Sequence, residues 1–147
     1  MIKGLSKFTG ILVFAAALLG IASSAKADLT SPFPATWKVN VTAGAAAKAA
    51  GRADFVEYIY CDATGFSGEQ ICRLGMQQTV LNVTAGTPTG TYNVTCTMVS
   101  NNYGTISFTG TVSNTAMSGN ITWTIGGTAY AYTYSGVPYT PDPNVVP

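Results

Sequence analysis

The chain has 147 residues, the length of one domain, and only 9% of them are charged, with a net charge of +1. It contains no histidine, which excludes a histidine-based zinc site and any Ser-His-Asp or Cys-His catalytic arrangement. The small net charge disfavours a nucleic-acid binder, which needs a basic stripe to neutralise phosphates. Because 47% of the residues are apolar, the chain has enough apolar surface to build a folded core.

The first 27 residues have the composition of a secretory signal peptide. Lys3 and Lys7 precede an apolar stretch from Phe8 to Ile21, and Ala-Lys-Ala at 25–27 follows as a small-x-small cleavage site. The apolar stretch is shorter than the ~20 residues that span a bilayer. Cleavage after residue 27 leaves 120 residues with four basic and six acidic side chains. The sequence therefore predicts an exported protein of the periplasm, cell surface or extracellular space, with no membrane span after cleavage.

Most of the remaining chain alternates apolar and polar residues with a period of two, which is typical of half-buried β-strands. The clearest runs lie at 37–42, 92–98, 106–112, 117–125 and 129–134. Turn-forming pairs at 101–102, 113–114 and 126–127 separate the last four runs and predict three hairpins. Two further strands are predicted at 55–61, with both faces covered, and at 76–84. The alanine-rich piece at 43–53 fits either a helical turn or a loop.

Together these elements predict one all-β domain at 28–136, an antiparallel meander of seven or eight strands. A closed or nearly closed small barrel is favoured over a β-sandwich, because consecutive hairpins lead to up-and-down closure. The proline-rich residues 137–147 are expected to form an extended, flexible tail.

Three cysteines, Cys61, Cys72 and Cys96, follow the predicted cleavage site, and an exported protein folds where disulfides form. We expect a disulfide between Cys61 and Cys72, which would close a short polar loop across a hairpin. Cys96 lies on the apolar side of an alternating run, which indicates a buried thiol. An intermolecular bridge through Cys96 is the alternative. Without histidine to activate a thiol, no catalytic cysteine is predicted.

Four carboxylates, at Asp54, Glu57, Asp62 and Glu69, surround the predicted disulfide along the chain. Oxygen-rich loops bind calcium, but this spacing matches no EF-hand. Paired carboxylates hydrolyse glycosides, but nothing in the sequence holds a pair at the required separation. We therefore interpret the segment as a solvated turn, and predict no catalytic residue, no metal site and no cofactor.

Five aromatic residues are candidates for a ligand-binding face because they share the apolar side of the predicted strands: Trp37, Trp123, Tyr130, Tyr132 and Tyr134. The alternative is that they belong to the core. A buried tyrosine hydroxyl needs a partner, which favours a site where the ring tips meet water. The opposite side of the strands carries many threonines and is expected to face solvent.

Two functions are consistent with these observations. The first is a non-enzymatic structural or surface-associated protein of the envelope or extracellular matrix, which acts through its strand faces and edges by self-association or with a matrix partner. Its basis is the low charge, since charged residues usually protect sheet edges from pairing. The alternative is a small β-barrel that binds an apolar or carbohydrate ligand. An enclosed cavity of a few hundred Å³ beside Trp123 and Tyr132 would favour it.

Overall fold

The structure, a computed structural model, describes residues 36–62 and 65–141. The predicted signal peptide at 1–27 and the end of the predicted tail at 142–147 lie outside these residues. Over the described ranges the alternating runs form eight strands, and two short helices interrupt them. The elements are β1 (Thr36–Ala43), α1 (Ala45–Ala49), β2 (Phe55–Asp62), β3 (Gly65–Gly68), α2 (Glu69–Arg73), β4 (Gln77–Ala85), β5 (Tyr92–Ser100), β6 (Gly104–Val112), β7 (Met117–Ile125) and β8 (Thr128–Pro138).

The strands form one antiparallel sheet in the order β3-β2-β1-β8-β7-β6-β5-β4. Nearly every strand therefore pairs with its neighbours along the chain, and β8 pairs with β1 to bring the meander round on itself. The predicted all-β small barrel is confirmed, in a nearly closed form. Its opening lies between β3 and β4, which are the two ends of the sheet.

The three predicted hairpins join β5 to β6, β6 to β7 and β7 to β8. The tightest is the two-residue turn between β7 and β8, where Gly126 and Gly127 both have positive φ, of 57° and 81°. Positive φ at both central residues is the requirement of the type I′ turn, whose twist matches that of the flanking strands. Local turn chemistry and strand periodicity thus specify the same register in this half of the barrel.

Alternation along each strand directs the apolar side chains into the barrel. In β1, Trp37, Val39, Val41 and Ala43 are buried, and the residues between them are exposed. Full burial of such aromatic and aliphatic side chains stabilises a fold by about 1.5–3 kcal/mol each. The other strands add further buried residues: Ile59, Cys61, Val83, Val94, Cys96, Met98, Ile106, Val112, Met117, Ile121, Tyr132 and Tyr134.

A side chain, rather than a ladder of backbone hydrogen bonds, bridges the opening between β3 and β4, which we call the seam. The Phe66 N–H donates to Oε1 of Gln78 at 3.0 Å, and the Cys96 thiol lies 3.6 Å from the same oxygen. Gly65 has a φ of 150°, and a Cβ there would lie 2.3 Å from the Gln78 amide. A larger residue at this position would be strained by its φ and would displace the Gln78 amide from the seam.

The two ends of the barrel differ. At the helix end, β1 leads into α1, α2 leads into β4, and the β5–β6 and β7–β8 turns complete the rim. At the loop end lie the connection at 86–91 and the turn at 113–116. β8 runs through Val137 and Pro138, which pair with β1, and the Tyr139 N–H donates to the Thr36 carbonyl at 2.9 Å. The ordered sheet thus extends two residues into the segment predicted as a tail.

The predicted disulfide between Cys61 and Cys72 is absent, because the two thiols point to different environments. Cys61 is buried inside the barrel, and Cys72 is exposed on α2. The segment between them is not a simple hairpin loop, since it contains β3 and the start of α2. Ile71 is the buried residue of α2, so its neighbour Cys72 is turned outward. Cys96 is a fully buried thiol, as its position in the alternating run predicts.

Candidate functional site

Three of the five candidate aromatic residues lie in the core. Trp37, Tyr132 and Tyr134 are exposed by 0%, 4% and 7%. The Tyr134 ring packs edge-on against Phe108, and burial raises the pKa of its hydroxyl to about 12. The indole Nε1–H of Trp37 is buried without a hydrogen-bond acceptor, which costs stability because its hydration is lost without replacement. These rings fill the barrel and do not present a face to solvent.

The other two candidates, Trp123 and Tyr130, are cross-strand neighbours at the helix end. The Arg52 guanidinium carbon lies 4.6 Å from the Trp123 ring centroid and 4.3 Å from that of Tyr130. The Trp123 Nε1–H donates to the Tyr103 carbonyl at 2.6 Å. Arg52 follows α1, so this cation–π contact fastens the segment after the helix over the end of the barrel.

The barrel interior holds two small apolar cavities. One, of about 40 Å³, is lined in part by Trp123 and Tyr132, and the other is about 20 Å³. Pockets for small molecules have volumes of roughly 300–1,000 Å³. Each interior cavity has room for only a few waters at most. Neither of these two cavities has space for a drug-sized or sugar ligand.

A buried carboxylate, that of Glu57, projects from β2 into the interior and is only 4% exposed. Both of its oxygens accept the Gln70 N–H, at 3.1 and 3.2 Å, and Oε1 also accepts the Tyr58 N–H. Burial raises the pKa of Glu57, and these N–H donors oppose the rise. The carboxylate on β2 thus caps the start of α2, and its contacts are structural.

Three of the four carboxylates predicted as a cluster, all but Asp62, have side chains that the structure describes, and each makes different contacts. Glu57 is buried, which corrects its interpretation as part of a solvated turn. Asp54 accepts the Ala43 N–H at 2.8 Å and pairs with Lys48, and the Ala43 N–H, helped by Lys48, lowers its pKa. Glu69 forms an exposed ion pair with Arg73 on α2. Across residues 36–62 and 65–141, no group of three or more potential ligands is arranged to hold a metal ion.

The outer surface of β4 to β8 carries no charge, since no Asp, Glu, Lys or Arg lies between Arg73 and Asp142. The strand register instead aligns exposed hydroxyl and amide side chains in two adjacent rows that cross six strands. One row contains Asn82, Thr95, Thr109, Asn120, Thr133 and Thr42. The other contains Thr84, Asn93, Thr111, Ser118, Ser135 and Asn40. We call these twelve residues the hydroxyl band.

The geometry of the sheet sets the spacing of the hydroxyl band. Neighbouring strands are about 4.8 Å apart, and residues two apart along a strand are separated by about 6.8 Å. All twelve side chains are exposed. The band is therefore a regular lattice of uncharged hydrogen-bond donors and acceptors on the outside of the barrel. The threonine-rich alternation of the sequence predicted its exposure, but not its alignment into rows.

Two aromatic residues of β2 that are not among the five candidates lie on the outer side of the barrel. Tyr58 and Tyr60 project outward from β2, and the Tyr58 and Tyr139 ring centroids are 5.0 Å apart. Tyr60 is 49% exposed and Val56 is 42% exposed, so β2 is not covered on both faces as expected. The alternation along β2 could have predicted this outward face, since Tyr58 and Tyr60 alternate with the buried Glu57, Ile59 and Cys61.

A shallow, open cleft of about 390 Å³ lies at the loop end, between the β4–β5 and β6–β7 connections. Its walls offer hydroxyl, amide and backbone groups and no charge: Pro88, Thr89, Gly90, Thr91, Ser113, Asn114 and Thr115. Its volume is at the lower end of the range for ligand pockets. Such a lining can hydrogen-bond a neutral polar molecule but cannot neutralise an ion.

No protein-family model, curated protein or solved structure matches this chain. None of the helices at 36–62 and 65–141 has the length and apolar character needed to cross a membrane.

Proposed function

We propose that the protein is exported and acts, without catalysis, as a structural or surface-associated component of the cell envelope or extracellular matrix. The hydroxyl band is the observation that supports this proposal most strongly. It covers six adjacent strands with exposed hydroxyl and amide groups, and β4 to β8 carry no charge that would repel a second copy or require a counterion. Such a surface suits contacts with neutral, hydrogen-bonding partners, including other copies of the chain.

The filled interior also supports a role for the outside of the barrel. The interior cavities hold a few waters at most, and three of the candidate ligand-binding aromatics are core residues. The buried carboxylate of Glu57 accepts the Gln70 N–H and so serves as a helix cap. The large surfaces that remain for function are the outer faces and the strand edges.

Cell fractionation tests this proposal directly. An epitope-tagged chain expressed in its own cells is expected in the envelope, surface or matrix fraction, with the residues before position 28 removed. The processed N-terminus is read by mass spectrometry. Recovery of the protein only from the soluble periplasm, or from the cytoplasm with an intact N-terminus, would contradict the proposal.

A second candidate function is the binding of a neutral carbohydrate at the cleft of the loop end. The cleft supports it because it combines ligand-scale volume with an uncharged lining that can donate and accept hydrogen bonds. Replacing Thr89 and Thr91 by valine removes two hydroxyls with little change in shape. Retardation in gels that contain neutral polysaccharide should then fall, while Thr111→Val, a control in the hydroxyl band, should leave it unchanged. Equal retardation of all variants would refute the cleft as the site.

A further inference from the structure

The outer edge of β4 is a strand edge without a strand partner in the described part of the chain. β4 pairs with β5 on one side, and on the other side β3 reaches only its beginning, near Gln78. A β-bulge between Gln78 and Val80 interrupts the register there. The six residues from Val80 to Ala85 then continue as a regular strand. Backbone groups on such an edge can pair with another strand.

This edge lacks the features that normally prevent pairing. Proteins protect edge strands with lysines, prolines, inward-pointing charges or very short length. β4 has nine residues, Gln77–Ala85, and none is charged or proline. The bulge protects its beginning but leaves the regular part accessible.

We propose that β4 pairs antiparallel with β4 of a second copy of this chain to form a two-fold symmetric dimer. The proposal rests on the proposed function, which includes self-association, and it names the surface that associates. Because β4 contains no charged residue, the edges of two copies meet without electrostatic repulsion. The same sequence on both sides satisfies the self-complementarity that a two-fold interface requires.

A pairing centred on Asn82 fits the burial pattern of the strand. It places Asn82 opposite its own copy, where two amides can hydrogen-bond, and it places the exposed Val80 opposite Thr84 of the second copy. The inward residues Leu81 and Val83 then face each other on the core side of the joined sheet. Cross-strand pairs of these kinds stabilise antiparallel sheets.

Continuity of the outer surface also favours this arrangement. Asn82 and Thr84 are the β4 members of the hydroxyl band. A two-fold axis perpendicular to the sheet keeps outward residues outward, so the bands of the two copies join into one continuous surface. The dimer would thus carry a hydroxyl band that crosses twelve strands, six from each copy.

A matched pair of lysine variants tests the proposal. Asn82 and Asn120 are both exposed asparagines in the same row of the band, but Asn82 lies on the edge strand and Asn120 on the central strand β7. The purified wild-type protein is expected to dimerise in sedimentation equilibrium. Asn82→Lys should weaken the dimer by about five- to tenfold, because two like charges then face each other. Asn120→Lys should leave the dimer unchanged.

An opposite-charge rescue separates a specific loss of pairing from misfolding. Asn82→Asp alone should also weaken the dimer, and an equimolar mixture of Asn82→Lys with Asn82→Asp should restore it as a heterodimer. A monomeric wild type at all concentrations would overturn the β4 pairing. Equal weakening by Asn82→Lys and Asn120→Lys, or failure of the mixture, would also overturn it. These results are independent of cell fractionation, so the edge proposal can fail while the proposed location stands.

Discussion

Glu57 links β2 to the start of α2, and its replacement should measurably weaken the fold. Glu57→Ala removes the acceptor for the partly buried Gln70 N–H at the start of α2 and leaves a void beside an existing cavity. An unsatisfied buried donor costs about 1–3 kcal/mol, and loss of a helix cap costs about 1 kcal/mol. Since both costs describe the same lost hydrogen bond, they are not added, and we expect a loss of about 1–3 kcal/mol in the free energy of unfolding.

Glu57→Gln is the informative comparison, because it keeps the shape and one acceptor oxygen but cannot ionise. Its loss at neutral pH should be about 1 kcal/mol or less. Burial raises the pKa of Glu57 in the folded state, so the folded state holds this proton more tightly than the unfolded state does. The resulting stabilisation is fully present below the unfolded pKa of about 4.5 and is lost as the pH rises through the folded pKa.

Urea unfolding followed by tryptophan fluorescence between pH 4 and pH 7 measures both effects. Relative to Glu57→Gln, the wild type should become less stable as the pH rises across this range. Asp54 has a lowered pKa and contributes a slope of opposite sign, but it is present in both proteins and cancels in the difference. Parallel pH profiles for the two proteins, or a loss below about 1 kcal/mol for Glu57→Ala, would refute the reasoning.

Three further predictions concern the seam, the core and the thiols. Gln78→Ala should lower the free energy of unfolding by about 1–3 kcal/mol and speed hydrogen exchange of the Phe66 amide, because that N–H loses its acceptor. An unchanged exchange rate would show that Gln78 does not bridge the seam. Trp37→Phe removes a buried donor that has no acceptor but leaves part of the ring volume empty, so it should lower the free energy of unfolding by about 1–3 kcal/mol, less than the ~3–5 kcal/mol expected of Trp37→Ala. Equal losses for the two variants in urea unfolding would contradict this expectation. Cys72→Ser should change the melting temperature by less than about 2 °C, because this thiol is exposed. A large drop in the melting temperature, which reductant also causes in the wild type, would instead indicate a disulfide with Cys61.

The sequence predicts most of the strands because two local signals agree there. In β5 to β8 the alternation of side chains and the Asn or Gly turns specify the same hairpins, and the structure has them. β3 could not be predicted in the same way. With only four residues, Gly65–Gly68, it is too short to show a period and contains two glycines. Its pairing with β2 is set by the tertiary structure.

The candidate site was harder to predict for a related reason. Periodicity shows which residues share a face, but it does not show whether that face is a filled core or an open pocket. Tyr132 and Tyr134 lie on the same face of β8, as the alternation predicts, but both are buried in the core. The predicted disulfide between Cys61 and Cys72 was wrong because it was based on the short loop between them. In the structure the one-turn helix α2 directs Cys72 away from the interior.

The absence of charge from Leu74 to Pro141 also has a kinetic consequence. Charged proteins steer one another during diffusion, and this steering weakens as salt screens the field over a Debye length of about 10 Å at 0.1 M. A partner that approaches the uncharged wall of this barrel experiences little such attraction. Its association should proceed at the unsteered rate of about 10⁵–10⁶ M⁻¹s⁻¹ and should hardly respond to ionic strength. A protein with this surface would bind at the same speed in dilute and in saline surroundings.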